Sequence, residues 1–261
     1  EVRSLKNISA DLKLTGPENA ALWIHSNADS TELAVEINQI DLQQLSRFAE
    51  IPDMQGRVNV ALRYVPSDVS YLIAADANID NLIFRGQPVG ELLLNGVYLP
   101  LDNNRHRFDA HFYHNESELA TVSAFYRQPQ QKQAQGAIDG TMQFDRIPLS
   151  ELNPFFGGAV DMQGVLRGRL TLESRDRGPI WNGYLQLDST SMYVRAVGTR
   201  FRFDDQEVDI KDSKLRLTKY GIYTTGGNPF VISGTVDFSK PMKETADLRL
   251  AAQDMLLIDA P

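Results

Sequence analysis

The sequence contains no cysteine. That absence excludes disulfides, iron–sulfur clusters, thiolate zinc sites and a cysteine nucleophile, and it leaves the compartment open. Long apolar runs are also missing. Mean hydropathy is −0.30, and no stretch approaches the roughly 18–20 residues of a membrane-spanning helix. The first residues, EVRSLKNISA, lack the basic-then-apolar layout of a signal peptide. Positive charge is scarce: 26 Lys and Arg stand against 34 Asp and Glu, a net charge of −8 over 261 residues. Duplex binding needs clustered cations to displace phosphate counterions, so nucleic acid is not an expected partner. No G-x-S-x-G, Walker or G-x-G-x-x-G pattern occurs.

What the sequence does have is alternation, nearly end to end. Residues 8–14 set Ile8, Ala10, Leu12 and Leu14 against Ser9, Asp11 and Lys13. Leu33, Val35 and Ile37 repeat the pattern, as do Val58, Val60, Leu62 and Tyr64. Later come Leu166, Leu170 and Leu172, then Trp181, Leu185 and Leu187. Phe230, Ile232, Val236 and Phe238 follow, and last Leu248 and Leu250. A side-chain period of two means strands with one dry and one wet face, which predicts an antiparallel, all-β chain. Hairpin tips are expected at Asn95-Gly96, Asn182-Gly183 and 226–229, with Asp139-Gly140 a tip or a mid-strand pair. The Gln-rich stretch 127–136 reads as a loop.

Two segments carry helical spacing. Residues 41–49 place Leu42, Leu45, Phe48 and Ala49 on one side behind Asp41 as N-cap. Residues 148–156 place Leu149, Leu152, Phe155 and Phe156 together, with Pro148 in the first turn and Pro154 limiting the length. These helices expose a repeat. Ile40 corresponds to Ile147 at an offset of 107, and the DMQG at 53–56 to the DMQG at 161–164 at an offset of 108. Each unit reads as strand, short helix, DMQG turn and new strand. Self-similarity at a fixed period predicts two β-units, 1–130 and 131–261, in an elongated architecture.

Candidate chemistry is thin. His106, His111 and His114 fall close together, with His25 apart. His111 and His114 differ in parity, while His106 and His114 would lie about 26 Å apart on one strand. Solvated strand-edge histidines are the expectation, and no metal site. Asp204, Asp205, Glu207 and Asp209 read as a turn plus a wet face, with nothing to mark a catalytic carboxylate pair. The Tyr220–Tyr223 region is the mild candidate for an exposed sugar platform. No catalytic residue or cofactor is expected, and the chain is read as non-enzymatic.

Several phrases resemble the TamB-like and AsmA-like bacterial envelope proteins. They are ISADLKLTG at 8–16, the "IDLQQL…MQGRVNVAL" and "IPLSEL…MQGVLRGRL" units, and FVISGTVDFSKPMKETADLRLAAQDMLLI at 230–258. The last resembles the approach to the C-terminal domain of the inner-membrane-anchored subunit of the translocation and assembly module. The chain therefore reads as an internal or C-terminal-proximal fragment, with the inner-membrane anchor outside it.

The resemblance implies an elongated, curved antiparallel sheet folded over like a taco around an apolar groove. It implies a role in outer-membrane biogenesis: periplasmic transport of phospholipid between inner and outer membranes, with acyl chains in the groove. The implied partners are phospholipid and an outer-membrane barrel assembly protein of the TamA/BamA type. The expected groove lining is the apolar parity set: Ile8, Leu12, Leu14, Leu33, Val35, Ile37, Val58, Val60, Leu62, Leu166, Leu170, Leu172, Leu185, Leu187, Phe230, Ile232, Val236, Phe238, Leu248 and Leu250. Alternation by itself equally describes a closed sandwich core. A second functional reading is a scaffold for outer-membrane protein assembly, in which strand edges template a partner's strands.

Overall fold

Long alternating segments need partners on both sides to satisfy their backbone groups, and they find them in sequence order. The computed structural model describes residues 9–27, 31–44, 54–67, 70–102, 104–129, 136–175, 178–224, 228–240 and 243–253. The chain is all-β, with strands joined in antiparallel fashion, and divides into two units, residues 1–138 and 139–261.

Unit 1 is an uninterrupted meander. Its strands are β1 (Asp11–Thr15), β2 (Ala21–Ser26), β3 (Leu33–Asp41), β4 (Met54–Pro66), β5 (Tyr71–Phe84), β6 (Gln87–Leu101), β7 (Arg105–His114) and β8 (Ser117–Arg127). Each pairs with its neighbours in sequence. In unit 2 the strands are β9 (Ala137–Pro148), β10 (Val160–Arg175), β11 (Gly178–Val194), β12 (Thr199–Phe203), β13 (Glu207–Lys211), β14 (Lys214–Tyr223), β15 (Phe230–Asp237) and β16 (Thr245–Ala251). Here β12 and β13 are two halves of one sheet position, both lying between β11 and β14.

The repeat seen in the sequence is a repeat of register. In unit 1, Ile37 faces Val60 and Ile40 faces Val58, so Asn38 and Gln39 stand opposite the single residue Asn59. In unit 2, Phe144 faces Gly168 and Ile147 faces Leu166, with Asp145 and Arg146 opposite Arg167. The same two-against-one bulge therefore recurs, which bends the strand and sharpens its twist.

The DMQG segments are not the turns the sequence suggested. Met54, Gln55 and Gly56 open β4, and Asp161–Gly164 lies inside β10; Asp53 falls outside the described residues. Their glycines sit at φ 146° and 106°, at register shifts against β5 and β11. A Cβ on Gly164 would stand 2.5 Å from the Thr190 Cα, and one on Gly56 would stand 2.9 Å from the Asp80 carbonyl oxygen. The glycine is needed because the facing backbone approaches too closely for any side chain.

Other expectations also change. Asn95-Gly96 and Asn182-Gly183 lie mid-strand, in β6 and β11, whereas at Asp139-Gly140 the mid-strand alternative holds, in β9. The actual tips include Arg85-Gly86, Asn115-Glu116 and Asp212-Ser213, where Arg85, Asn115, Glu116, Asp212 and Ser213 take positive φ. Of the expected loop, Arg127 closes β8 and residues 130–135 fall outside the described residues.

The first expected helix begins as anticipated, with residues 42–44 helical and the Asp41 carboxylate accepting the Gln43 N–H at 2.8 Å. Leu45, Phe48 and Ala49 lie outside the described residues. The second is a 3-10 helix, Leu149–Phe156, rather than an α-helix. Pro148 precedes it in extended conformation and does not sit in its first turn. Pro154 lacks the N–H that an α-helical turn would use.

Candidate functional site

Residues directly opposite in an antiparallel ladder project from the same face. The register therefore assembles the alternating side chains into rows. In unit 1 one row runs Leu14, Leu22, Ile37, Val60, Ala77, Leu94, Phe112 and Ala120 across all eight strands. A second runs Leu12, Ile24, Val35, Leu62, Ala75, Gly96, Ala110 and Val122. The interleaved row on the other face reads Lys13, Trp23, Glu36, Ala61, Asp76, Asn95, His111 and Thr121. It is held by polar contacts such as Asn95 Nδ2 donating to Asp76 at 2.7 Å.

Unit 2 builds the same two-faced sheet. Met142, Leu170, Gly183, Ile210, Leu215, Val236 and Ala246 form one apolar row. Gln143, Arg169, Tyr184, Asp209, Arg216, Thr235 and Asp247 form the wet row beside it.

The expected lining residues all fall on these apolar faces, apart from Ile8, which lies outside the described residues, and Phe238, which follows β15. None of the described members is fully buried, and Leu12, Leu14, Leu62, Leu248 and Leu250 are exposed. Leu14 reaches 54% exposure, whereas a closed core residue such as Leu82 stands at 1%. Phe108 and Phe112 are exposed on the same face. Single exposed apolar residues are ordinary; a contiguous strip of them marks an interaction surface.

Along one side of each sheet the strands are pinched by bulges. In unit 1 these fall at Asn38–Gln39, Gly56, Asp80–Leu82 and Phe112–Tyr113. There Leu42, Leu82 and Val89 form a closed aliphatic cluster, against which Met54, Val58, Ile79, Phe84 and Leu92 pack. Leu42 thus seats the start of the helical turn on the apolar face. In unit 2 the bulges fall at Gly164 against Ser189–Thr190, at the break between β12 and β13, and at Thr218–Lys219. Asp204 and Asp205 pin that line. The Asp204 carbonyl accepts the Tyr220 hydroxyl at 2.8 Å, and the Asp205 carboxylate accepts the Ser189 N–H at 2.8 Å. Leu149, the counterpart of Leu42, is 3% exposed.

Two sets of single residues depart from what the sequence suggests. His106 and His114 are buried on β7, an inner strand, rather than solvated at an edge. Each shares a face with the apolar rows and satisfies a nitrogen locally: His114 Nε2 meets the Val89 carbonyl at 2.6 Å, and His106 Nδ1 meets the Tyr98 hydroxyl at 2.7 Å. Of the three histidines on β7 only His111 faces solvent, against Glu118 at 2.7 Å, while His25 lies half-buried on the wet face beside Glu36 at 3.3 Å. Tyr220 is buried and its phenol is pushed up to about 12, first by burial and then by the charges of Asp204 and Asp205. It offers no exposed sugar platform. Register also brought forward Leu82 and Val89, which no sequence pattern had marked.

Comparison with family models, curated proteins and solved structures gives no match.

Proposed function

We propose that this chain is a periplasmic part of a TamB-like, AsmA-like protein anchored in the inner membrane through regions outside it. In this reading it conducts phospholipid between inner and outer membranes, holding acyl chains on its apolar faces. The reading assigns no catalysis, cofactor or metal, and its protein partner is a barrel assembly factor of the TamA/BamA type. The observation that carries it is the set of apolar rows crossing each sheet while remaining half-exposed. An acyl chain in water costs about 0.8 kcal/mol per CH₂, so a carrier must supply continuous apolar wall. It must also let the chain slide, which a wall without selective polar groups permits. The curvature of a groove is supported by the bulge lines, because each bulge bends its strand.

The test places a photo-crosslinking residue at Leu12, Val60, Leu170 or Ile232 and identifies captured molecules by mass spectrometry. Phospholipid is expected at these positions and not at Lys13; capture of nothing on the apolar face, or equal capture at Lys13, overturns the reading. As a companion, Val60→Asp is expected to block transport in a chain that stays folded. If Val60→Asp unfolds unit 1, the face is a closed core.

A second reading, strand templating for outer-membrane protein assembly, draws support from β16. All seven of its residues are exposed, and among the described residues it pairs on one side only. Crosslinks from β16 to a β-strand of a client protein would favour it.

A further inference from the structure

The two strand-end rims of the apolar face in unit 1 differ in chemistry. The bulge rim is closed by the Leu42, Leu82 and Val89 cluster. At the opposite rim the rows end in rings with polar tips. Tyr64 and Tyr71 lie 5.2 Å apart between centroids, Tyr71 and Tyr98 6.0 Å, and Tyr98 and His106 5.7 Å. Aromatic side chains with a polar tip settle where an apolar phase meets water.

At this same rim, on the wet face, Arg105 opens β7 and Arg127 closes β8, and the register sets them directly opposite one another. Facing like charges destabilise a sheet. Among the described residues one other such pair occurs, Lys211 and Lys214, and there Asp237 relieves it at 3.3 Å from Lys214. Arg105 rests on the Phe125 ring at 5.3 Å, while neighbouring Arg107 is neutralised by Asp109 at 2.6 Å. Neither Arg105 nor Arg127 has an acidic partner among the described residues, although Asp102 lies in the adjoining turn. In a chain of net charge −8, two exposed facing guanidinium groups with no counter-ion among the described residues offer a seat to an anion from outside.

We infer that this corner of unit 1 seats the phosphate of a phospholipid whose acyl chains lie on the apolar face. The inference rests on the acyl-chain reading above and adds an orientation: head group at the tyrosine rim, chain ends toward the aliphatic rim. Guanidinium forks match phosphate oxygens bidentately, and at this rim the strands end, so a head group can turn from the edge of the apolar face toward the two guanidinium groups.

The test is a titration of the whole chain with three soluble probes: short-chain phosphatidylglycerol, diacylglycerol of the same chain length, and glycerol 1-phosphate. The phospholipid is expected to bind about tenfold more tightly than the diacylglycerol, which corresponds to about 1.4 kcal/mol. In Arg105→Gln/Arg127→Gln that preference disappears while diacylglycerol affinity is unchanged. Arg85→Gln, which removes one charge at the opposite rim, keeps the wild-type preference. The inference is overturned if the double variant still prefers the phospholipid, or if Arg85→Gln loses as much, which would make the effect one of bulk charge. Glycerol 1-phosphate binding as tightly as the lipid overturns it in favour of a free-phosphate site. If neither lipid binds, the acyl-chain reading itself falls and this inference with it.

Discussion

The β3–β4 corner of unit 1 and the β9–β10 corner of unit 2 share a bulge, a pinching glycine and a buried leucine at the start of a helical turn, yet little else. The turn is a 3-10 helix interrupted by proline in unit 2. The apolar rows of unit 1 are thinned mostly with alanine, at Ala75, Ala77, Ala110 and Ala120 beside Gly96, whereas those of unit 2 are thinned mostly with glycine, at Gly168, Gly183 and Gly234 beside Ala246. Gly183 and Gly234 sit at φ 138° and 139°, and a Cβ on either would fall on a facing carbonyl, that of Arg169 or Asp247. The difference teaches that the backbone pinch is common to the two units, while the small residues that thin the apolar face differ between them.

That comparison can be broken most severely at the pinch. Gly164→Ala must hold positive φ and push the Thr190 backbone, where Gly56→Ala meets a more distant carbonyl. Strain and overpacking together should cost about 3–5 kcal/mol at Gly164 and about 1–3 kcal/mol at Gly56. Denaturant unfolding checks this unit by unit, because Trp23 reports on unit 1 and Trp181 on unit 2, each isolated by a Trp→Phe change in the other. Equal losses would mean that the two pinches are mechanically the same.

A smaller effect is expected at the paired leucines. Leu149→Ala should destabilise unit 2 by about 2–3 kcal/mol through an unfilled cavity. Leu42→Ala, at 7% exposure against 3% for Leu149, should cost somewhat less. Thermal unfolding of the two variants in parallel measures the contrast, and a larger loss at Leu42 would reverse it.

The mildest test uses one phenol in each unit. Tyr98 and Tyr220 are both pushed up to about 12, chiefly by burial; a hydrogen bond with Tyr71 adds to the first, and the charges of Asp204 and Asp205 to the second. The unfolded chain loses these protons near its ordinary value of about 10, so the stability they carry is intact below pH 10 and is lost as pH rises toward about 12. Tyr220→Phe should flatten this alkaline loss in unit 2 only, and should cost about 1 kcal/mol at neutral pH through the hydrogen bond to Asp204. Stability–pH curves read through Trp181 decide it, and an unchanged alkaline slope counts against the assignment.

Alternation was enough to read the all-β class and to sort the apolar side chains by face, because parity in a strand is local. The rows themselves were not legible, since register depends on which residues of a neighbouring strand come opposite. Glycine misled for the same reason. Asn-Gly is a strong hairpin signal, but in β11 Gly183 answers a close facing backbone that appears only once the partner strand is placed, and Gly96 lies in the middle of the long strand β6 with facing carbonyls at ordinary contact distance. His106 and His114 looked solvated because a polar residue at an apolar parity reads as an edge. The groups they meet, the Tyr98 hydroxyl and the Val89 carbonyl, come from β6. The leucines of the helical turns were visible as a stripe, whereas Leu82 and Val89 beneath Leu42 were hidden by the bulges around them.

The strand order of unit 1 has a kinetic side. Since β1 through β7 each pair with the next strand in sequence, every contact within unit 1 is between chain neighbours, and closure entropy stays low at each step. Such a sheet can grow hairpin by hairpin from whichever portion of the chain emerges first, as a zipper does. Unit 2 interrupts this at β11, which must wait for both β12 and β13 before β14 can seal them. The β11–β14 region is therefore expected to close later than the neighbouring hairpins, and unit 1 to close hairpin by hairpin.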